Sequence, residues 1–135
     1  MSAIENKQLV QEIFTELAVG NSRPLVESMA DDFCWTVTGR NQWSGVYKGK
    51  QAVLDGLLAQ LRSRIEGRVK TIGHRFIAEG DYVVVEARGS NTTKSGKPYN
   101  NEYCFVIRLS DGKLKEITEY MDTELVTTVL GDNAA

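Results

Sequence analysis

The residues whose types could do acid–base chemistry cluster toward the end of the chain. The segment KLKEITEYMDT, Lys113 to Thr123, carries Glu116, Glu119 and Asp122 among Ile117, Tyr120 and Met121. Alternation places Lys115, Ile117, Glu119 and Met121 on one face of a strand and Glu116, Thr118, Tyr120 and Asp122 on the other. Each face mixes carboxylate with apolar or aromatic surface, so periodicity does not choose between Glu119 and Asp122 as the inward carboxylate. A carboxylate enclosed by apolar side chains loses hydration, and its pKa rises unless a cation or hydrogen-bond donors hold the charged form. It can then exchange protons near neutral pH. Glu86 and Arg88 stand two residues apart on one strand face, the spacing of an ion pair or of a tuned acid–base pair. Asn101 and Tyr103 offer an amide and a phenol that can orient a carbonyl or hydroxyl, with an ordinary cross-strand pair as the competing reading.

Other candidates read as structural. His74, the single histidine, alternates in phase with Ile72 and Phe76 and is expected to be half-buried. Cys34 and Cys104 lie inside apolar runs and read as buried free thiols. One histidine and no cysteine pair at ligand spacing argue against a zinc site, and no metal or cofactor is expected.

The elements that must position these groups follow from pattern. The 135 residues suit one domain, 1–135, and a chain of this size buries about two-thirds of its unfolded surface without metal or disulfide staples. Charged residues make up 25% and the net charge is −2, with signs mixed, which gives no field for capturing nucleic acid or an anionic membrane. The basic cluster Arg62, Arg64, Arg68 and Lys70 reads as a solvated helix end. No signal-peptide pattern and no apolar run of spanning length are present, so the expected compartment is the cytoplasm.

Ser2 and Glu5 predict a capping box, followed by the stripe Leu9, Val10, Ile13, Phe14 and Leu17, with Gly20 as the stop. Ser22 and Pro24 open a short second helix. Phe33–Thr38 reads as a strand, GRNQWSGVYKG as a loop with Trp43 at a pocket mouth or contact surface, and Lys50–Ile65 as a third helix with a leucine-rich face. Strands are predicted at Arg68–Ala78, Tyr82–Thr93, Tyr99–Leu109 and Lys113–Met121, joined by hairpin-length links, and Glu124–Leu130 as a short helix. This order predicts an α+β fold in which helices cover one face of a curved antiparallel sheet.

The opening amphipathic helix, ADDFCWTVTG, WSGVYKGKQAV, SGKPYNNEYCFVIRLSDGKLKEI and EYMDT, taken in order, resemble the nuclear transport factor 2-like superfamily, and within it the SnoaL-like proteins related to ketosteroid isomerase. The resemblance implies a cone-shaped, curved antiparallel sheet with a mixed edge, three helices from the N-terminal half enclosing a pocket, and a homodimer. It turns Ile117, Glu119 and Met121 toward the pocket, together with Glu86 and Arg88, Asn101, Tyr103 and Phe105, and Trp35, with Phe14 facing them from helix one. It implies Glu119 as acid or base, with Arg88 and Glu86 tuning it. Glu86 and Arg88 resemble the Arg-x-Asp pair of limonene epoxide hydrolase in reversed order, but Trp35 and Val37 stand where that family places its first-strand Tyr and Asn. Ketosteroid isomerase carries its base near the end of the first strand; Trp35–Thr38 holds no carboxylate, and Phe14 replaces the helix-one tyrosine.

Three functions remain in view. One is an enzyme moving a proton on a small apolar carbonyl compound, an isomerase, cyclase or dehydratase. The second is a binding module for a small apolar ligand. The third is a dimeric interaction domain whose outer face carries Glu102, Cys104, Val106, Thr118 and Tyr120.

Overall fold

The computed structural model describes residues 1–131. Helix α1, Ala3–Leu17, begins at the predicted capping box: Glu5 N–H donates to Ser2 Oγ at 3.1 Å and Ser2 N–H to Glu5 Oε1 at 2.9 Å. Its stripe Val10, Ile13, Phe14 and Leu17 is buried. Gly20, at φ +83°, ends it. A Cβ there would stand 2.6 Å from the Arg68 stem, so the position requires glycine on two counts. Helix α2, Arg23–Ser28, leads into strand β1, Met29–Val37.

The segment read as a loop contains an edge strand. Gly45–Lys48 is β2 and pairs antiparallel with β1, Trp35 opposite Tyr47. At four residues, GVYK, and bounded by glycine, it is too short to register as a pattern. The third helix is composite: α3, Lys50–Val53, passes through a π-helical turn, Leu54–Leu58, into α4, Ala59–Arg62. Strands β3, Thr71–Glu79, and β4, Tyr82–Gly89, follow. The short pair β5, Asn91–Thr92, and β6, Pro98–Tyr99, stands apart from the main sheet. Then come β7, Glu102–Ser110, β8, Lys113–Met121, and the turn α5, Thr123–Leu125, which continues as a π-helical turn, Val126–Leu130.

The six-stranded sheet runs β2-β1-β8-β7-β4-β3. All neighbours are antiparallel except β1 and β8, so the fold is α+β with a mixed sheet. The inner face is set by β7, where Phe105, Ile107 and Leu109 are buried. Antiparallel partners share a face. Val85 sits opposite Phe105 and Ala87 opposite Tyr103, so Val83, Val85 and Ala87 turn inward. On the other face of β7, Cys104 and Val106 are half-buried and Tyr120 on β8 is 50% exposed.

A bulge on β8 explains its unclean alternation. Arg108 pairs with Glu116 and Leu109 with Leu114, leaving Lys115 unpaired between them. Leu114 and Ile117 therefore both face inward, and Lys115 leaves the inner face to bind Asp32, Nζ to Oδ1 at 2.6 Å. A second bulge, between Gly73 and Arg75, takes His74 out of phase with Phe76. His74 is exposed, which corrects the half-buried reading. The cysteines are free and half-buried rather than buried.

Candidate active site

The inner face of the sheet, α1, the composite third helix and the C-terminal turn enclose a cavity of about 260 Å³. Trp35, Ile117, Glu119, Met121, Tyr103 and Phe14 all line it. Each arrives by a separate rule of the fold. Trp35 and Glu119 come from neighbouring parallel strands, β1 and β8, where Val37 registers with Glu119. The backbone oxygen of Glu119 accepts from Thr38 N–H at 3.1 Å and Thr38 Oγ1 at 2.8 Å, which fixes the strand end that carries it. Phe14 comes from the buried stripe of α1 and lies 5.8 Å from Phe105, ring centre to ring centre. Trp35 meets Phe105 edge-on at 6.2 Å, and Tyr103 stacks on Phe105 at 5.2 Å. The wall is aromatic, and its rings hold one another.

Glu119 is the only carboxylate among the described residues that lines this cavity. It is half-buried and lines the cavity. Among the described residues its one side-chain hydrogen bond comes from Trp35, Nε1–H to Oε1 at 2.9 Å. Among the described residues no cation pairs with it. Burial pushes the carboxyl up to about 7, and the indole N–H pulls the other way.

Two predicted partners lie elsewhere. Glu86 is opposite Cys104 and Arg88 opposite Glu102, on the outer face of the sheet. Glu86 pairs with Arg75, Oε1 to Nη1 at 2.9 Å, and Arg88 is exposed. The family analogy assigned the wrong phase to β4. The apolar alternation Val83, Val85, Ala87 was the signal for the right one, and tight burial of those three leaves the charged residues outside.

Asn101 is inward but does not reach the cavity. It is 0% exposed, and its amide is saturated. Nδ2 donates to Tyr99 Oη at 3.1 Å and to the Asp122 carbonyl at 3.1 Å, while Oδ1 accepts from Glu102 N–H at 2.8 Å and Asp122 N–H at 3.0 Å. With no polar group to spare, it is a positioning residue that ties β7 to the end of β8 and holds Tyr99.

Tyr99 was missed as a site residue. It is buried, lines the cavity beside Tyr103, and its hydroxyl accepts from Asn101 Nδ2 at 3.1 Å. Burial, with the nearby Glu119 charge, raises the pKa of both phenols, so both stay protonated near neutrality. The adjacent asparagines in PYNNEY mark the break between β6 and β7 that separates Tyr99 from Asn101.

Trp43 belongs to the cavity wall. It is buried, donates from Nε1 to the Gly131 carbonyl at 2.7 Å, and lies under the Arg64 guanidinium, 4.9 Å from the ring centre. Through that bond it holds the C-terminal turn, whose Val126 and Leu130 complete the wall. The composite helix adds Leu57, Leu58 and Leu61.

Comparisons with known proteins agree with this architecture. The chain superposes on an NTF2-like protein from Burkholderia xenovorans with a TM-score of 0.75 and 27% identity, covering 96% of this chain and 98% of that one. It superposes on a putative SnoaL-like polyketide cyclase from Jannaschia with a TM-score of 0.77 and 19% identity, covering 96% and 93%. The structure of TerC co-crystallised with polyporic acid matches with a TM-score of 0.78 and 19% identity, covering 93% and 97%. No curated protein sequence matches the chain. The model of the SnoaL-like domain matches residues 10–117. The sheet order, the cavity between sheet and helices, and that match together place the chain in the SnoaL-like domain family, with the NTF2-like fold.

Proposed function

We propose that this chain catalyses proton transfer at a carbon next to a carbonyl in a small, apolar, ring-bearing compound, with Glu119 as the base. The observation that carries the reading is a lone carboxylate in an apolar aromatic cavity, with a single N–H partner, no counter-ion among the described residues, and a pKa raised to about 7. Such a group is charged often enough to accept a proton and neutral often enough to return it.

The step balances within the site. Glu119 takes the α-proton; the C–H electron pair becomes the enolate, with its charge on the carbonyl oxygen. The protonated phenol of Tyr103, which lines the cavity, donates to that oxygen. Trp35 N–H holds the Glu119 carboxyl in place throughout. Returning the proton to a different carbon isomerises the compound; attack of the enolate carbon on a second carbonyl of the same compound closes a ring, and the alkoxide formed takes the proton back from Glu119. TerC, a protein of the same fold, was co-crystallised with polyporic acid, which supports an organic small molecule as the ligand here.

The test is deuterium exchange at the α-carbon of β-tetralone and related ring-bearing ketones, followed by NMR in D₂O with native protein and with Glu119→Gln. Exchange by the native protein, reduced by about 10²-fold or more in the variant, is expected for a positioned acid–base group. Ketone binding with equal exchange by both proteins would make the cavity a binding site without catalysis.

A further inference from the structure

The exposed rim of the cavity carries two arginines, Arg62 at the end of α4 and Arg68 before β3. The sequence alone suggested a solvated helix end for both. Among the described residues neither guanidinium makes an ion pair or a hydrogen bond. The Arg68 stem is packed on Gly20, which fixes where its charge emerges. Ser22 lines the same rim, and its hydroxyl caps no helix backbone group. Two unpaired guanidiniums and an unspent hydroxyl thus edge a cavity whose interior is aromatic and aliphatic.

We infer that the ligand of this cavity is an amphipathic organic acid: an apolar ketone body bearing a carboxylate, held at the rim by Arg62 and Arg68. The inference rests on the proposed function of the same cavity and adds the substrate's charge and orientation. The orientation follows from repulsion. Glu119 is the interior carboxylate, so a second carboxylate beside it would oppose its ionisation. At the rim the acid meets two cations instead, which leaves the ketone end for Glu119, Tyr99 and Tyr103.

The probes are β-benzoylpropionate, which joins an aryl ketone with α-hydrogens to a carboxylate, and its primary amide, a neutral compound of nearly the same shape. Trp35 and Trp43 line the cavity, so tryptophan fluorescence reads occupancy. The acid is expected to bind at least about tenfold more tightly than the amide, the range for hydrogen bonds to charged groups. Added salt should narrow the gap. The double variant Arg62→Gln, Arg68→Gln should erase it, while Arg62→Lys, Arg68→Lys should restore part of it. These side chains are exposed, and matching thermal melts check that the variants remain folded. Equal affinity for acid and amide, absence of acid binding, or an acid preference that survives the double Gln variant would overturn the inference. Failure of the two readings is separable. Glu119→Gln should abolish α-exchange while keeping the acid preference. Exchange without acid preference overturns only the inference drawn here, and acid preference with no Glu119-dependent exchange overturns only the assignment of Glu119 as base.

Discussion

Glu119 and Glu86 are the same residue type, and each lies across from β7, one opposite Phe105 and the other opposite Cys104. Phe105 and Cys104 are consecutive, so they point to opposite faces. That single step of parity separates two chemistries. Glu86 reaches the outer surface and pairs with Arg75, where water screens both charges. Glu119 reaches the cavity and has one indole N–H, and burial raises its pKa to about 7. Position on the pleat, rather than neighbouring sequence, decides which carboxylate is available for proton transfer.

The comparison can be broken most severely at Glu119. Replacing it with Gln keeps the shape and the Trp35 contact but removes the base, and α-exchange should fall by about 10²- to 10⁴-fold. Replacing Glu86 with Gln should leave that rate unchanged. Equal losses from the two substitutions would contradict the assignment of faces.

A linked effect appears in stability. The folded-state pKa of Glu119 is raised above its ordinary 4.5 to about 7, so folding takes up a proton between those values. Stability attributable to this group is therefore greatest below the unfolded pKa and declines as pH rises toward 7. The decline is on the order of 3 kcal/mol. Urea unfolding at a series of pH values should show this fall in the native protein and a flatter profile in Glu119→Gln. Native and variant profiles with the same slope would mean that Glu119 is not desolvated.

Asn101 sharpens the account by separating support from contact. Asn101→Leu strands buried backbone groups and releases Tyr99, and should cost about 2–3 kcal/mol in chemical denaturation. The smallest effect belongs to the outer face: Glu86→Gln should cost no more than about 1 kcal/mol in the same assay. A larger loss there would mean that Glu86 is more enclosed than its pairing with Arg75 indicates.

Much of this was legible in the sequence, and the gaps have physical causes. The α1 cap and stripe follow from local chemistry, and β8 begins and ends at Lys113 and Met121 as its hairpin signal and alternation suggest. The inward turn of Glu119 was not legible from alternation, because the bulge at Lys115 shifts the phase partway along the strand. Family resemblance supplied that direction correctly on β8 and wrongly on β4, where the apolar alternation Val83, Val85, Ala87 carried the true phase. Tyr99 shares the alternation of Asn101, Tyr103 and Phe105, but its role was not legible because the β6–β7 break and the Asn101 hydrogen bond, rather than one continuous strand, place it. The rim arginines looked like a solvated helix end because sequence shows charge but not the opening beside it.

The most direct test is the titration of Glu119 itself, by the side-chain carboxyl ¹³C shift of glutamate-labelled protein, with Glu119→Gln assigning the resonance. A midpoint near 7 is the predicted result. A midpoint near the ordinary 4.5 would show a solvated carboxylate and contradict its role as the acid–base group of the cavity.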